Sequence, residues 1–206
     1  MLLHQYLETL LGSRTKIKIL RALHRHTGKE FTIRELADFI EVSHTGVRKA
    51  LDDLYEMNAI TLKAIGNSHT VTINSSSHLM ALMDTIFQYE EETLSQLEAI
   101  IRGSLCDKDY IKRVSLFGSA ARMEEEPRSD IDLLIITDDK ERTEETLSEL
   151  QPEISRRFGN PLAPYILTPA EAEKPSSAPL LKEIDEHCIV ICDRQQQTKK
   201  KLDKVT

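Results

Sequence analysis

Apolar residues recur at helical spacing through the first half of the chain. In residues 14–27, RTKIKILRALHRHT, Ile17, Leu20 and Leu23 define one face, basic residues occupy the other, and Gly28 ends the element. In FTIRELADFI, Thr32 with Glu35 three residues on reads as a capping box, and Ile33, Leu36, Ala37 and Ile40 form the inward stripe. A short Glu41-Val42 connection leads to Ser43, the cap of a third helix, HTGVRKALDDLYEM, with Val47, Leu51 and Leu54 facing inward. The period then drops to two. AITLKAI and TVTIN alternate as strands around Gly66-Asn67, a hairpin turn signal. Residues 76–105 return to helical spacing, with a stripe of Leu79, Met83, Ile86, Leu94, Leu97 and Ile101 broken at Glu90. The run Glu90-Glu91-Glu92 reads as a solvated face, and the stripe either packs on its own domain or pairs with a second copy.

The second half alternates between the two periods. IKRVSLF (111–117) reads as a strand, followed by Gly118-Ser119 and a helix, AARMEEE; Pro127-Arg128-Ser129 turns the chain into DIDLLIIT, a second strand. A helix at 141–157, a strand LAPYILT, a helix PLLKEIDEH and a strand CIVIC complete the order. Strands alternating with helices predict a mixed sheet domain, so the fold class of the whole is α+β.

Composition places the chain among globular proteins, with 40% apolar and 30% charged residues in 206. No stretch approaches the ~18 apolar residues of a membrane span, and the start MLLHQYLETLLG lacks a basic leader and cleavage site, so a cytoplasmic location without membrane association is expected. The net charge of −7 is unevenly spread. Residues 1–75 hold ten Lys and Arg against eight Asp and Glu, +2, with five of the seven histidines; the remainder holds 17 against 26, −9. Two modules with different partners are implied. Cys106, Cys188 and Cys192 are an odd count without a pairing framework. Cys188 and Cys192 share a strand face, but too few ligands accompany them for metal, so all three read as buried thiols. His24 and His26, two apart on a helix, face different ways and read as surface imidazoles rather than a metal pair.

Helix, helix, short turn, helix and hairpin is the order of a winged helix-turn-helix. TIRELADFIEVSHTGVRKALDDLYEMNAI resembles the DNA-binding modules of many prokaryotic regulators, over about residues 12–75. A third helix with a polar, basic first half enters the major groove of double-stranded DNA. His44, Thr45, Arg48 and Lys49 are expected on DNA from that helix, and Lys63 and His69 from the wing. A small winged helix also serves as a protein-docking unit, and +2 implies modest DNA affinity per monomer. Regulators of this type bind paired half-sites, so a homodimer is expected.

Chemistry concentrates in LFGSAARMEEEPRSDIDLLII, residues 116–136. Asp132 lies within an apolar strand, where a desolvated carboxylate is costly unless paired or coordinated. Asp130 and Asp132, two apart, share one face about 6.5–7 Å along the strand and reach one divalent ion. Gly118 allows close backbone approach, and Ser119 opens a helix whose free N–H groups favour an anion. A bland alternative makes Ser119 a helix N-cap and Asp130 a turn residue, and leaves Asp132 unexplained. The pattern G-S-x10-D-x-D, with SDIDLL intact, resembles the signature of the polymerase-beta-like nucleotidyltransferase superfamily, especially its minimal prokaryotic members, over about residues 106–192. The resemblance implies that Gly118 and Ser119, with Ser129 and Arg122, bind nucleotide phosphates. It also implies that Asp130 and Asp132 are catalytic ligands of Mg²⁺ or Mn²⁺ bound with a nucleoside triphosphate. In that family one metal activates the attacking hydroxyl and the other orients the triphosphate. Active members bring a third carboxylate from a later strand. Residues 162–168 contain none, and Glu171 and Glu173, after a proline, read as a helix start.

The expected organisation is therefore a winged helix-turn-helix domain at 1–75, a connecting helix at 76–105, a nucleotidyltransferase-like domain at 106–192 and a disordered basic tail at 193–206. Two functions fit. One is a transcription regulator whose degenerate transferase-like domain binds metal and nucleotide without transferring it, or only dimerises; this is favoured by the missing carboxylate. The other is an active enzyme moving a nucleoside monophosphate to a hydroxyl on protein, nucleic acid or a small molecule.

Overall fold

A computed structural model describes residues 6–66, 68–124, 126–175 and 177–194. Asn67 of the expected hairpin turn and residues 195–206 of the expected tail lie outside them. The chain divides into two compact units that meet at Glu92 and Thr93. Among the described residues no helix is long and apolar enough to cross a membrane.

The first unit contains helices α1 (Leu7–Leu11), α2 (Arg14–Arg25), α3 (Ile33–Phe39) and α4 (His44–Glu56), and strands β1 (Phe31–Thr32), β2 (Ile60–Ile65) and β3 (Ser68–Ile73). Thr32 and Glu35 form the reciprocal capping box at the start of α3, and the Ser43 hydroxyl accepts from the Gly46 N–H at 3.2 Å to start α4. β2 and β3 pair antiparallel from Ile60 opposite Ile73 to Ile65 opposite Ser68, and β1 adds to β3, in the order β1-β3-β2. This is a winged helix-turn-helix. Leu20, Leu23, Leu36, Val47, Leu51, Leu54 and Val71 are at most 1% exposed in its core. Ile17 is only half-buried, because Ile19 takes the central place.

Helix α5 (His78–Ile101) crosses the boundary and ends in a π-helical turn, Arg102–Cys106. Its stripe differs from the expected one at a single turn: Phe87 is buried and Ile86 is 36% exposed. Leu79, Met80, Met83 and Phe87 belong to the first core, and Leu97, Ile101 and Leu105 to the second. Glu90 and Glu91 are exposed but paired, with Arg21 at 2.7 Å and Arg25 at 3.4 Å.

The second unit contains β4 (Ile111–Leu116), α6 (Gly118–Arg122), β5 (Ile131–Thr137), α7 (Lys140–Phe158), β6 (Leu162–Leu167), α8 (Pro169–Ala172), α9 (Ala178–Glu186) and β7 (Ile189–Asp193). The sheet order is β6-β5-β4-β7, with β5 and β6 parallel and the other pairs antiparallel. Its two faces serve different ends. Ile131, Leu133 and Ile135 face the main core with Leu147, Leu150 and Ile154 of α7, while Leu134 joins Leu167 and Ile184 on the opposite side.

The cysteines correct the expectation of three thiols. Cys106 and Cys192 form a disulfide with Cα atoms 6.0 Å apart, closing 86 residues of sequence separation, and Cys188 is free. Two residues far apart in sequence pair because α5's end and β7 lie side by side on the same core, a proximity that spacing does not reveal. The imidazoles also have partners: His24 Nδ1 is 3.0 Å from Asp84, and His26 meets Phe31 and Phe39 edge-on.

Candidate functional site

Strand pairing brings the glycine and the carboxylate together. β4 runs antiparallel to β5, with Leu116 opposite Leu133, and the Phe117 N–H donates to the Asp132 carbonyl at 3.0 Å, one step past the strand end. The chain must then turn away without a side chain. Gly118 has φ +71°, and a Cβ placed there would meet Asp132 Oδ2 at 2.0 Å, Cγ at 2.9 Å and Cβ at 3.2 Å. The carboxylate occupies the space that any other residue at 118 would fill.

Helix α6 is shorter than AARMEEE implied. It ends at Arg122, where Met123 adopts a left-handed conformation, φ 58°. Phe117, not Ser119, is the N-cap residue, and it makes no side-chain cap. The reading of Ser119 as a cap therefore fails: Ser119 lies inside the first turn. Among the described residues its hydroxyl makes no hydrogen bond. Arg122 is exposed, with Nε 3.0 Å from Glu124, and its charge reaches the Asp132 carboxylate.

Asp130 is exposed just before β5, and Asp132 is half-buried on the same face. Burial pushes the Asp132 carboxyl above its ordinary range, the neighbouring charge of Asp130 pushes it further, and Arg122 offsets part of this. A bound cation would relieve both effects. Two carboxylates beside a residue lacking Cβ are a donor set that fits a hard divalent ion sharing phosphate oxygens. Among the described residues no group of three or more His, Cys, Asp and Glu gathers around one point.

Ser129 stands in the turn before β5. Its hydroxyl accepts from the Glu126 N–H at 2.9 Å, stapling the turn that precedes Asp130. Asn160, which sequence reasoning did not single out, anchors that turn: its side-chain amide donates to the carbonyls of Ser129 at 2.7 Å and Pro127 at 3.2 Å. The turn signal Gly159-Asn160-Pro161 was the available clue. Glu171 caps α8 through Thr168 and lies 2.6 Å from Lys140. The Lys140 hydrogen bond, then the Thr168 N–H, hold its carboxyl down at about 2. It is occupied away from the aspartates. Glu173 is exposed.

On the winged helix, His44, Thr45, Arg48 and Lys49 are all exposed on the first turns of α4. Their neighbours Val47, Ala50 and Leu51 are buried, so the helix packs by one face and offers the other. His69 on β3 is exposed opposite Ala64. Lys63 on β2 is exposed but paired 2.8 Å from Glu30, whose other oxygen accepts from Thr70 at 3.3 Å. The Lys63 hydrogen bond keeps the Glu30 carboxyl below its ordinary range. Its charge is thus partly spent within the wing, a pairing that sequence reasoning missed because Glu30 is far away along the chain.

Residues 99–197 match the family described as Polymerase beta, Nucleotidyltransferase. A search of curated proteins returned no match. Among solved structures, NolR from Sinorhizobium fredii aligns with 18% identity and TM-score 0.34, covering 41% of this chain and 80% of its own. Reduced HlyU from Vibrio cholerae aligns with 17% identity and TM-score 0.33, covering 39% and 84%. A toxin–antitoxin structure with AMP-PNP aligns with 18% identity and TM-score 0.35, covering 50% and 77%.

Proposed function

We propose that the chain, whose residues 99–197 match the family described as Polymerase beta, Nucleotidyltransferase, is a DNA-binding transcription regulator whose transferase-like domain binds a metal-bound nucleoside triphosphate without transferring it. The observation that carries this reading is the state of the carboxylates. Asp132 is held against Gly118 and crowded by Asp130, while β6 contributes no acid and Glu171 is engaged by Lys140 and Thr168. Asp130 and Asp132 would hold Mg²⁺ or Mn²⁺. Bound there, the ion supplies positive charge that neutralises the triphosphate. Gly118, whose missing Cβ makes room for the Asp132 carboxylate, meets the phosphate oxygens with its backbone, the Ser119 hydroxyl donates to them, and Arg122 exchanges Glu124 for the ligand's charge. The exposed face of α4, with His44, Thr45, Arg48 and Lys49, meets the major groove of double-stranded DNA; His69 and, less strongly, Lys63 approach from the wing. The regulator acts as a homodimer on paired half-sites in the cytoplasm.

The alternative, an active enzyme moving a nucleoside monophosphate to a hydroxyl, draws on the intact Gly118-Ser119 and Asp130/Asp132 pairs. Labelled triphosphates with Mg²⁺ or Mn²⁺ and candidate acceptors, run beside an Asp130→Asn/Asp132→Asn double variant, separate the two. Calorimetric binding that disappears in the variant, with no label transferred, is expected. Transfer that disappears in the variant makes the protein an enzyme, and absence of any binding removes the nucleotide from the reading. A gel shift with the protein's own promoter tests the DNA half: salt-insensitive or absent retention refutes it.

A further inference from the structure

We propose that a cleft between α2 and the end of α3 binds a small aromatic anion, a ring system carrying a carboxylate or phosphate, and that this ligand competes with α5 for two arginines. The cleft lies in the first unit, away from the aspartates, and measures about 260 Å³. That is below the roughly 300–1,000 Å³ of sites for drug-sized ligands, so a small molecule suits it. Its lining divides by chemistry. Ala22 of α2 and Ile40 at the end of α3 are buried and apolar. Phe39 lines it too, although 54% exposed, with the His26 ring edge-on at 5.3 Å. Two aromatic rings at an open surface offer a third ring a face or an edge to pack on. The rest of the lining is cationic: Lys18, Arg21 and Arg25 recur along α2 at i, i+3 and i+7, on one helical face. Among the described residues no acid lines the cleft. A negatively charged ring complements both parts. A neutral ring leaves the cations unanswered, and bare phosphate leaves the apolar part unused.

The cations are engaged but not exhausted. Lys18 Nζ donates to the Ile40 carbonyl at 3.1 Å, using one of an ammonium's three donors. Arg21 meets Glu90 through Nε at 3.1 Å and Nη2 at 2.7 Å, and Arg25 meets Glu91 through Nε at 3.4 Å. A guanidinium has five donors, so both arginines keep N–H groups for an anion. Glu90 and Glu91 are exposed residues of α5, next to Glu92, where the first unit ends. Exposed ion pairs are weak, so a ligand anion draws both guanidinium groups away from α5.

The test titrates the full chain, free of divalent metal, with naphthoate and naphthyl phosphate, beside neutral naphthamide and inorganic phosphate, followed by calorimetry. At least one aromatic anion is expected to bind more tightly than both the amide and inorganic phosphate, and the tighter of the two headgroups names the ligand class. Lys18→Gln and Arg25→Gln should each weaken that binding by about fivefold, the fold-change of a strong exposed ion pair. Phe39→Ala should weaken it at least about twofold through the lost ring contact. Arg34→Gln removes an exposed cation of α3 outside the cleft and should leave it unchanged. The Glu90→Gln/Glu91→Gln double variant should bind at least about twofold more tightly, because the competing carboxylates are gone. The substituted side chains are all exposed, so the variants keep the fold, and unchanged melting temperatures verify it. Inorganic phosphate binding as tightly as either aromatic anion, or equal weakening by Arg34→Gln, reduces the effect to charge alone and overturns the site. Binding that is unchanged or weaker in the glutamate variant overturns the competition with α5. Absence of aromatic-anion binding overturns the proposal outright; if Lys18→Gln and Arg25→Gln then weaken duplex retention in a gel shift, these cations serve DNA instead.

Discussion

Gly118→Ala tests the contact on which the site is built. Two costs arise together. A non-glycine residue held at φ +71° carries about 1–2 kcal/mol of backbone strain. The new methyl would also lie 2.0 Å from Asp132 Oδ2 and 2.9 Å from Cγ, closer than carbon approaches either. Rotating the Asp132 side chain moves those two atoms, but its Cβ stays 3.2 Å away, so the strand or the turn must shift as well. With overpacking of this kind worth about 1–3 kcal/mol, the total is about 2–5 kcal/mol. For a chain of this size that lowers the melting temperature by about 4–20 °C. Calorimetric melting of wild type, Gly118→Ala, Asp132→Ala and the double variant closes a cycle. The glycine substitution should cost at least about 1 kcal/mol less once Asp132 is alanine, because only the backbone strain and the tight Cβ contact remain. A cost that is the same in both backgrounds, within about 0.5 kcal/mol, means the methyl and the carboxylate never meet, and the site as described is wrong.

Other outcomes follow from particular residues. The Glu171 carboxyl is held at about 2 against an ordinary 4.5, so the stability it contributes is complete above 4.5 and lost as pH falls toward 2; Glu171→Gln should flatten that part of the acid-unfolding curve, and identical curves would rule out the Lys140 and Thr168 contacts. Unreduced, unfolded protein should present one reactive thiol, Cys188, and three after reduction; three beforehand would refute the Cys106–Cys192 bridge. Closing a loop of 86 residues is worth up to about 4.6 kcal/mol of chain entropy, so Cys106→Ser should lower the melting temperature measurably. Arg48→Ala should weaken duplex binding and reduce the salt slope by about one, whereas Lys63→Ala should change it less, since Glu30 already neutralises that charge; equal effects would contradict the pairing.

Periodicity and local chemistry carried most of the architecture. The 3.6-residue stripes of α2, α3 and α4 and the two-residue alternation of β2 and β3 depend on neighbours a few positions apart, and such patterns are written along the chain. The Thr32–Glu35 capping box and Ser43 cap are local for the same reason. The two aspartates, on one face by alternation alone, belong to this group, as does the absence of an acid from LAPYIL. Folding decided what depends on which distant segments meet. The space at Gly118 is taken by Asp132 because β4 and β5 pair in one register; Glu30 finds Lys63, Lys140 finds Glu171, and Cys106 finds Cys192 across gaps that spacing cannot bridge. Burial of Phe87 rather than Ile86 likewise follows from what lies against that turn of α5, since both residues are apolar and only a neighbouring surface distinguishes them.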